Sequence, residues 1–431
     1  MSGTSTTPAS SCDRPPHSKG PAMLDVQTAL PDLTDPRTFI PDPPYQAWAA
    51  LRRRGGLPFQ EREDAPGFYS VARYRDIDTV VRDSTTYSSE GGMTLDTALG
   101  VRDPAAGKMI ELTDPPRHRR LRKLVSGGLN RSVAQNMDAL LRWRVDGWVA
   151  DAVRAGEVDF VDAVSERVPS AATGLLLGLP QQHWDKLADR ASRAVCSSLD
   201  ADDARVGDLA VRRNSTATAN GQLMVHLASL VDHAELAEDG MMRRLLAAEI
   251  DGDRLTREEV LLNCLNLAIA GNETTKNATT GGLVAFSRNP EQWQLLRRRP
   301  ELLDSAVEEI LRYTSPVQHL MRTVTRPQTL AGTQLHEGDL VCAWVASANR
   351  DEEVFTEPDA FRIDRDPNPH LAFTAGKHFC LGASLARLEI KLVFESLLSR
   401  VERITLLGPP VRKPTNLVTA YASLPVALHA G

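Results

Sequence analysis

Apolar and polar positions change period several times along the 431-residue chain, and the longest coherent stretch is helical. It starts at Thr256, with Glu259 as a capping-box partner. Apolar positions then recur through Leu261, Leu262, Leu265, Ile269, Leu283 and Val284 until Asn289-Pro290 stops the run. That predicts about 32 helical residues, a rod of roughly 48 Å at 1.5 Å per residue. No charged residue falls between Val260 and Ala270, so this helix is expected to be central and buried. Helices are also expected at Glu301–Tyr313, after Pro300, and at Gly382–Arg400, where Leu385, Leu388, Leu392 and Leu397 share one side. Aromatic and β-branched residues gather in Phe68–Val81, Gln328–Trp344 and Val418–Leu428, which predicts a small, scattered β component. The expected class is mainly α: one large helical domain over residues 23–431 with small β-sheets, after a Ser/Thr/Pro-rich mobile tail at residues 1–22.

Composition narrows the class without naming a chemistry. With 42% apolar residues, 25% charged residues and a net charge of −6, the chain reads as a soluble globule and not as a basic nucleic-acid binder. No apolar run reaches the roughly 18 residues that span a bilayer, and the N-terminus lacks the basic start and apolar core of a secretory signal. A cytoplasmic protein is expected. The five cysteines are odd in number and never form C-x-x-C, which argues against a disulfide framework or a four-thiolate zinc site. A cysteine that matters here acts alone.

Candidate chemistry sits in four clusters. The first is Phe373–Gly382, F-T-A-G-K-H-F-C-L-G, immediately before the last long helix. A sulfur at Cys380 faces the free N–H groups and positive end of that helix, which favours thiolate. Gly376 and Gly382 let the backbone turn sharply and admit a flat ligand. Taken alone, a buried structural cysteine in a loop-to-helix turn explains the same residue. The second cluster is Ala270-Gly271-Asn272-Glu273-Thr274-Thr275, midway along the central helix, where Gly and Thr weaken the helix and suggest either a tolerated kink or a groove. The third is Glu309-x-x-Arg312, an i, i+3 ion pair. The fourth is Asp114–Lys123, D-P-P-R-H-R-R-L-R-K, a proline-started helix in which His118 and Arg122 share a face.

In this order and at these separations, the four clusters resemble the signatures of the cytochrome P450 family, over essentially Pro31 to the C-terminus. The pattern F-x-x-G-x-H-x-C-x-G is similar to the family's haem loop. The resemblance makes Cys380 the axial thiolate and metal ligand, with Phe373, Gly376, His378 and Gly382 around a haem b. It casts Glu273 as the acid that delivers protons and Thr274 as the hydroxyl that orients dioxygen. His118, Arg122, Arg322 and His378 become the haem-propionate contacts, and Glu309 with Arg312 becomes a buried structural pair. Two departures stand out: Thr374 where the family usually has Gly, and Ala360 where a third basic partner of the Glu309–Arg312 pair is expected, with Arg362 two residues on.

The implied fold is the P450 fold, a long central helix lying over a haem. The implied activity is monooxygenation: reductive activation of O2 and hydroxylation or epoxidation of a medium-sized organic substrate, in bacterial secondary metabolism. Oxidative coupling or cyclisation, peroxide-driven oxidation, and non-catalytic haem or ligand binding on the same fold stay open. Electrons are expected from NAD(P)H through a separate ferredoxin reductase and ferredoxin, the latter docking on a basic face of Arg117, Arg119, Arg120, Lys123 and Lys377. By analogy, substrate contacts fall on Met93 in the Gly91–Leu99 segment, on Asn266 and Ala270, on Gln318, His319 and Leu320, and on Val418. His319 reads equally as a packed histidine. No nucleic-acid or membrane partner is expected, and the protein is expected to be a monomer.

Overall fold

The computed structural model describes residues 30–126, 131–196, 202–233, 235–250 and 252–431; the 1–22 tail lies outside them. Asp32–Gly431 form one compact unit. Its helices are α1 (Tyr45–Arg53), α2 (Tyr74–Arg82), α3 (Arg117–Ser126), α4 (Arg131–Ala155), α5 (Arg167–Leu177), α6 (Trp184–Val195), α7 (Leu209–Asp232), α8 (Met241–Ala247), α9 (Arg257–Arg288), α10 (Pro290–Arg298), α11 (Leu303–Thr314), α12 (Val345–Ala348) and α13 (Ala383–Leu398). None of the described helices is long and apolar enough to cross a membrane.

The expected central helix is α9, 32 residues long, and its start is set by chemistry legible in the chain. The Thr256 side chain accepts from the Glu259 amide, and the Glu259 carboxylate accepts from the Thr256 amide at 2.8 Å, so two of the free N-terminal donors are satisfied reciprocally. Helices α5, α6, α7, α8, α11 and α13 pack around α9. Close approach is possible because Gly281 and Gly282 carry no side chain: a Cβ there would stand 2.7 Å from Thr314 Cγ2 and 2.9 Å from Phe394 Cζ.

The β component is small, as expected, but one part of it is not β. In Phe68–Val81 only Phe68–Val71 is a strand, and α2 takes over at Tyr74. The aromatic and β-branched content misled there because Ile77, Val80 and Val81 sit at helical spacing and are buried together. The largest sheet has five strands in the order 59–60, 68–71, 340–343, 320–324 and 87–88. A second sheet orders 401–406, 425–430 and 157–159. Strand Leu320–Val324 carries Arg322 into the interior, while α9 and α13 bring the two most specific sequence clusters toward one another.

Candidate active site

Between α9, the Phe373–Gly382 loop and the first turns of α13 lies an apolar-walled cavity with about 1440 Å3 of atom-free space, counting its opening. Cys380 lies on its wall, as do Ala270, Gly271, Thr274 and Thr275 of α9. A second cleft, with about 2240 Å3 of atom-free space, is lined by Glu166, Arg193, Lys276 and Lys413 among other charged groups. It is the larger of the two, but it carries neither the isolated thiol of the haem-loop motif nor the unpaired histidines described below.

The loop that presents Cys380 is shaped by two residues with positive φ. Gly376, at φ 69°, turns so close to α2 that a Cβ would lie 2.9 Å from Arg82 Cα, so glycine is required twice over. Thr374 also adopts a left-handed conformation, φ 56°, which explains why a glycine suits that position better. Its hydroxyl accepts from the Ala375 amide, and that contact helps hold the conformation. Gly382 is different: its φ is ordinary, and a Cβ there would stand 3.9 Å from Cys380 Sγ. The Cys380 amide donates to Phe373 O at 3.0 Å, closing the loop. Phe373 lines the cavity, with the Arg387 guanidinium 4.5 Å from its ring centroid.

The thiol itself corrects a simple helix-end argument. Burial pushes the Cys380 pKa up, and the Gly382 and Ala383 amides with the charges of Arg122 and Arg387 only partly offset this. A bound metal ion, by contrast, deprotonates a coordinating thiol outright.

Along the cavity edge, four cationic or basic groups converge. His118 is 2% exposed, its Nε2 has no partner, and burial together with Arg122 and Lys377 pushes its pKa down to about 4. The His378 ring lies 4.3 Å from it, also with an unpartnered buried Nε2, and is pushed down by burial and Arg322. Arg322 is 2% exposed; among the described residues its side chain donates only to Met321 O, at 2.8 Å, and burial lowers its pKa to about 10. Arg122 donates to Lys377 O at 2.9 Å. Two unpaired neutral imidazoles and two guanidiniums short of carboxylate partners form a donor set that suits buried carboxylates. Together with a lone sulfur and an apolar cleft, they fit a haem, whose iron Cys380 would hold and whose propionates these four groups would meet.

Opposite Cys380, the weak stretch of α9 stays helical, because side chains stitch it. The Thr274 hydroxyl donates to Ala270 O at 2.7 Å and the Asn272 amide to Ala268 O at 2.6 Å. Thr274 borders the cavity. Glu273 does not: it is 2% exposed and turned toward Lys276, whose Nζ stands 2.5 Å from Glu273 Oε1 and 3.7 Å from Glu166 Oε1. Burial works against the Lys276 ammonium, and these carboxylates overcome it and raise its pKa.

Of the residues expected to meet substrate, Met93, Asn266, Ala270 and Leu320 line the cavity, whereas Gln318, His319 and Val418 are not among its walls. The Gln318 side chain donates to Val418 O at 2.8 Å. His319 is fully buried, its Nε2 accepting from the Leu95 amide at 3.0 Å and its Nδ1 lying 2.9 Å from Asn416 O. These three residues tie loops together. One polar wall residue that the sequence reading missed is Glu111, on the short Ile110–Leu112 turn. Its only sequence signal is a carboxylate inside an otherwise apolar run before Asp114.

Behind the loop, Glu309 and Arg312 are both fully buried and paired through two hydrogen bonds of 2.7 and 2.8 Å. The third basic partner is Arg365, 3.0 Å from Glu309 Oε2, and not residue 360 or Arg362. Ala360 contributes its carbonyl to Arg312 and Arg365, and Arg362 contributes its backbone amide to Glu309, while its side chain pairs outward with Glu357 and Asp364. A basic partner five residues along the loop serves because the loop folds back on itself.

The basic face expected for an electron donor is thinner than its sequence. Arg117 pairs with Glu259 and Arg120 with Asp253, leaving Arg119, Lys123 and Lys377 as exposed cations beside the haem loop.

A mainly helical fold with a lone cavity thiol and a threonine-bearing central helix on one cavity, and a buried set of carboxylate-seeking donors, has the makings of a haem protein. Residues 225–419 match the family model described as Cytochrome P450. The chain is 37% identical over 413 residues to cytochrome P450 126 of Mycobacterium tuberculosis, covering 93% of this chain and 98% of the relative. It is 31% identical over 409 residues to linalool 8-monooxygenase of Pseudomonas putida, covering 92% and 98%. The crystal structure of P450 OxyD, involved in the biosynthesis of vancomycin-type antibiotics, matches with a TM-score of 0.80 at 32% identity, covering 93% of this chain and all of the other. The chain belongs to the cytochrome P450 family. It is a P450 monooxygenase, an oxidoreductase of the P450 fold.

Proposed function

We propose that the chain oxygenates a medium-sized, largely apolar organic molecule in bacterial secondary metabolism, with a haem held by Cys380 and electrons delivered from NAD(P)H by ferredoxin reductase and ferredoxin. The observation that carries this reading is the shared cavity: Cys380, the unpaired His118 and His378 nitrogens, and Thr274 all border it. When bound, the haem supplies reductive activation of O2 and transfer of one oxygen atom to substrate.

The chain's own residues do the rest. His118, Arg122, Arg322 and His378 hold the propionates, which fixes the macrocycle's orientation. Apolar walls exclude water from the reacting face, so donors inside act with little solvent competition. Thr274 holds a hydroxyl at that face. Glu273 supplies protons to it after leaving Lys276, since in the resting structure its carboxylate is committed to that ammonium. Arg119, Lys123 and Lys377 steer an acidic carrier to the Cys380 side. The names of relatives support an apolar substrate, since linalool is a terpene alcohol.

The test is the absorption spectrum of the reduced, carbon-monoxide-bound protein. A thiolate-specific red shift is expected in the parent and should vanish in Cys380→Ser; a His-type spectrum in the parent would overturn the assignment. Labelled dioxygen, followed into product, separates oxygenation from coupling.

A further inference from the structure

We propose that Glu111 and Asn266 form a polar anchor that selects substrates bearing a hydrogen-bond donor, a hydroxyl or a protonated amine, at the end of an apolar skeleton remote from the oxidised carbon. The proposal rests on the monooxygenase reading above and specifies its substrate.

The anchor is built from both sides of the cavity. Glu111 belongs to a single helical turn that α9 holds in place: the Ile110 amide donates to Asn263 Oδ1 at 3.0 Å, and Asn263 Nδ2 donates back to Lys108 O at 2.9 Å. Asn263 is fully buried, so this tether is fixed. Three residues further along α9, and so on the same face, Asn266 meets the carboxylate. With its amide nitrogen toward Glu111, it donates to Oε2 at 2.8 Å and to Oε1 at 3.2 Å. A carboxylate has about four acceptor positions, and the Asn266 amide takes about two of them, leaving the rest for a ligand.

The surroundings make those free positions count. Met93, Ile110, Leu176, Leu267, Ala270 and Leu320 make much of the same cavity wall apolar. The remaining basic groups on the wall, His118, Arg122, Arg322 and His378, are the set that fits the propionates. Burial raises the Glu111 carboxyl to about 7, against the pull of Arg322 and of the Asn266 amide and with help from Asp103, so its ionised form stands to gain from an incoming donor. A ligand that leaves such a site unpaired is rejected far more strongly than one that merely lacks a methylene.

Helix geometry then acts as a ruler. Asn266, Ala270 and Thr274 are spaced i, i+4, i+8 and all border the cavity. Eight residues at 1.5 Å put Asn266 about 12 Å along the axis from Thr274. A substrate anchored at Glu111 therefore presents the far end of its skeleton to the reacting face.

Calorimetric binding to the haem-loaded protein tests this with decan-1-ol, N,N-dimethyldecan-1-amine and 1-methoxydecane, which share a chain and differ in the donor. The alcohol and the protonated amine are expected to bind at least about tenfold more tightly than the ether. Glu111→Leu should erase both preferences, whereas Glu111→Gln should keep the alcohol preference and lose that of the amine. Equal binding of alcohol and ether to the parent, or a preference that survives Glu111→Leu, overturns the anchor. The carbon-monoxide spectrum, recorded on the same samples, reports separately on the haem-thiolate reading: a normal red shift with no donor preference sinks the anchor alone.

Discussion

Lys276 Nζ lies 2.5 Å from Glu273 Oε1, with both side chains almost entirely buried one turn apart on α9. The acid that the sequence marked for proton delivery is thus held by an ammonium that lines the polar cleft, and neither group borders the cavity of Cys380.

Breaking one half of that pair leaves a buried charge uncompensated, at a cost of about 3 kcal/mol. Lys276→Met should lose about that much in urea unfolding, and the double variant Glu273→Gln/Lys276→Met should recover most of it. Additive losses in the double-mutant cycle would show that the two groups do not sense one another. Glu273→Gln alone should slow turnover about a hundredfold in the oxygenation assay if Glu273 supplies the proton.

Arg365 and Arg362 offer a contrast that only the structure predicts. Arg365→Ala should destabilise the protein by about 3 kcal/mol, because it strips a buried carboxylate of a cation. Arg362→Ala, whose side chain pairs at the surface, should change stability by no more than about 0.5 kcal/mol. Thermal unfolding of the two variants side by side decides it; similar losses would refute the assignment.

Thr374 holds a β-branched residue at φ 56°. Relief of that strain is worth on the order of 1–3 kcal/mol, partly cancelled by the greater freedom of glycine in the unfolded chain and by loss of the hydroxyl contact with Ala375. Thr374→Gly is expected to gain about 1 kcal/mol in denaturant unfolding. A loss would show that the hydroxyl contact outweighs the strain.

Glu389 on α13 is buried with Oε2 unpaired, and burial holds its carboxyl well above its ordinary value. The folded state keeps the proton that the unfolded chain releases above about pH 4.5, so this group's contribution falls as pH rises until the folded carboxyl ionises. Glu389→Gln should flatten the decline of the urea midpoint between about pH 5 and 8, and should be the more stable protein at the upper end. An unchanged slope would mean that Glu389 is charged in the core.

Reduction by a ferredoxin should slow, with a weaker salt dependence, in Arg119→Glu/Lys123→Glu. Stopped-flow reduction across ionic strength checks this. Reversal at Arg120 is a poorer probe, because it also breaks the pair with Asp253; unchanged kinetics in the double reversal would remove the docking face.

What the sequence determined by itself is local. The Thr256–Glu259 box and Asn289-Pro290 bound α9 because capping is a contact between near neighbours, and the haem-loop motif was readable because a cysteine ahead of a helix needs fixed spacing and small residues around it. Even the failure at Phe68–Val81 was local: β-branched residues at helical spacing formed α2 once they had a core to face. Tertiary structure alone decided which polar groups meet. Arg365 reaches Glu309 across 56 residues, His319 serves Leu95 and Asn416 instead of a ligand, Lys276 rather than the cavity receives Glu273, and Glu111 finds Asn266 from another element. Pairings of this kind depend on how loops fold back onto buried helices, where desolvation makes every unpaired group costly, and no period or spacing along the chain records that.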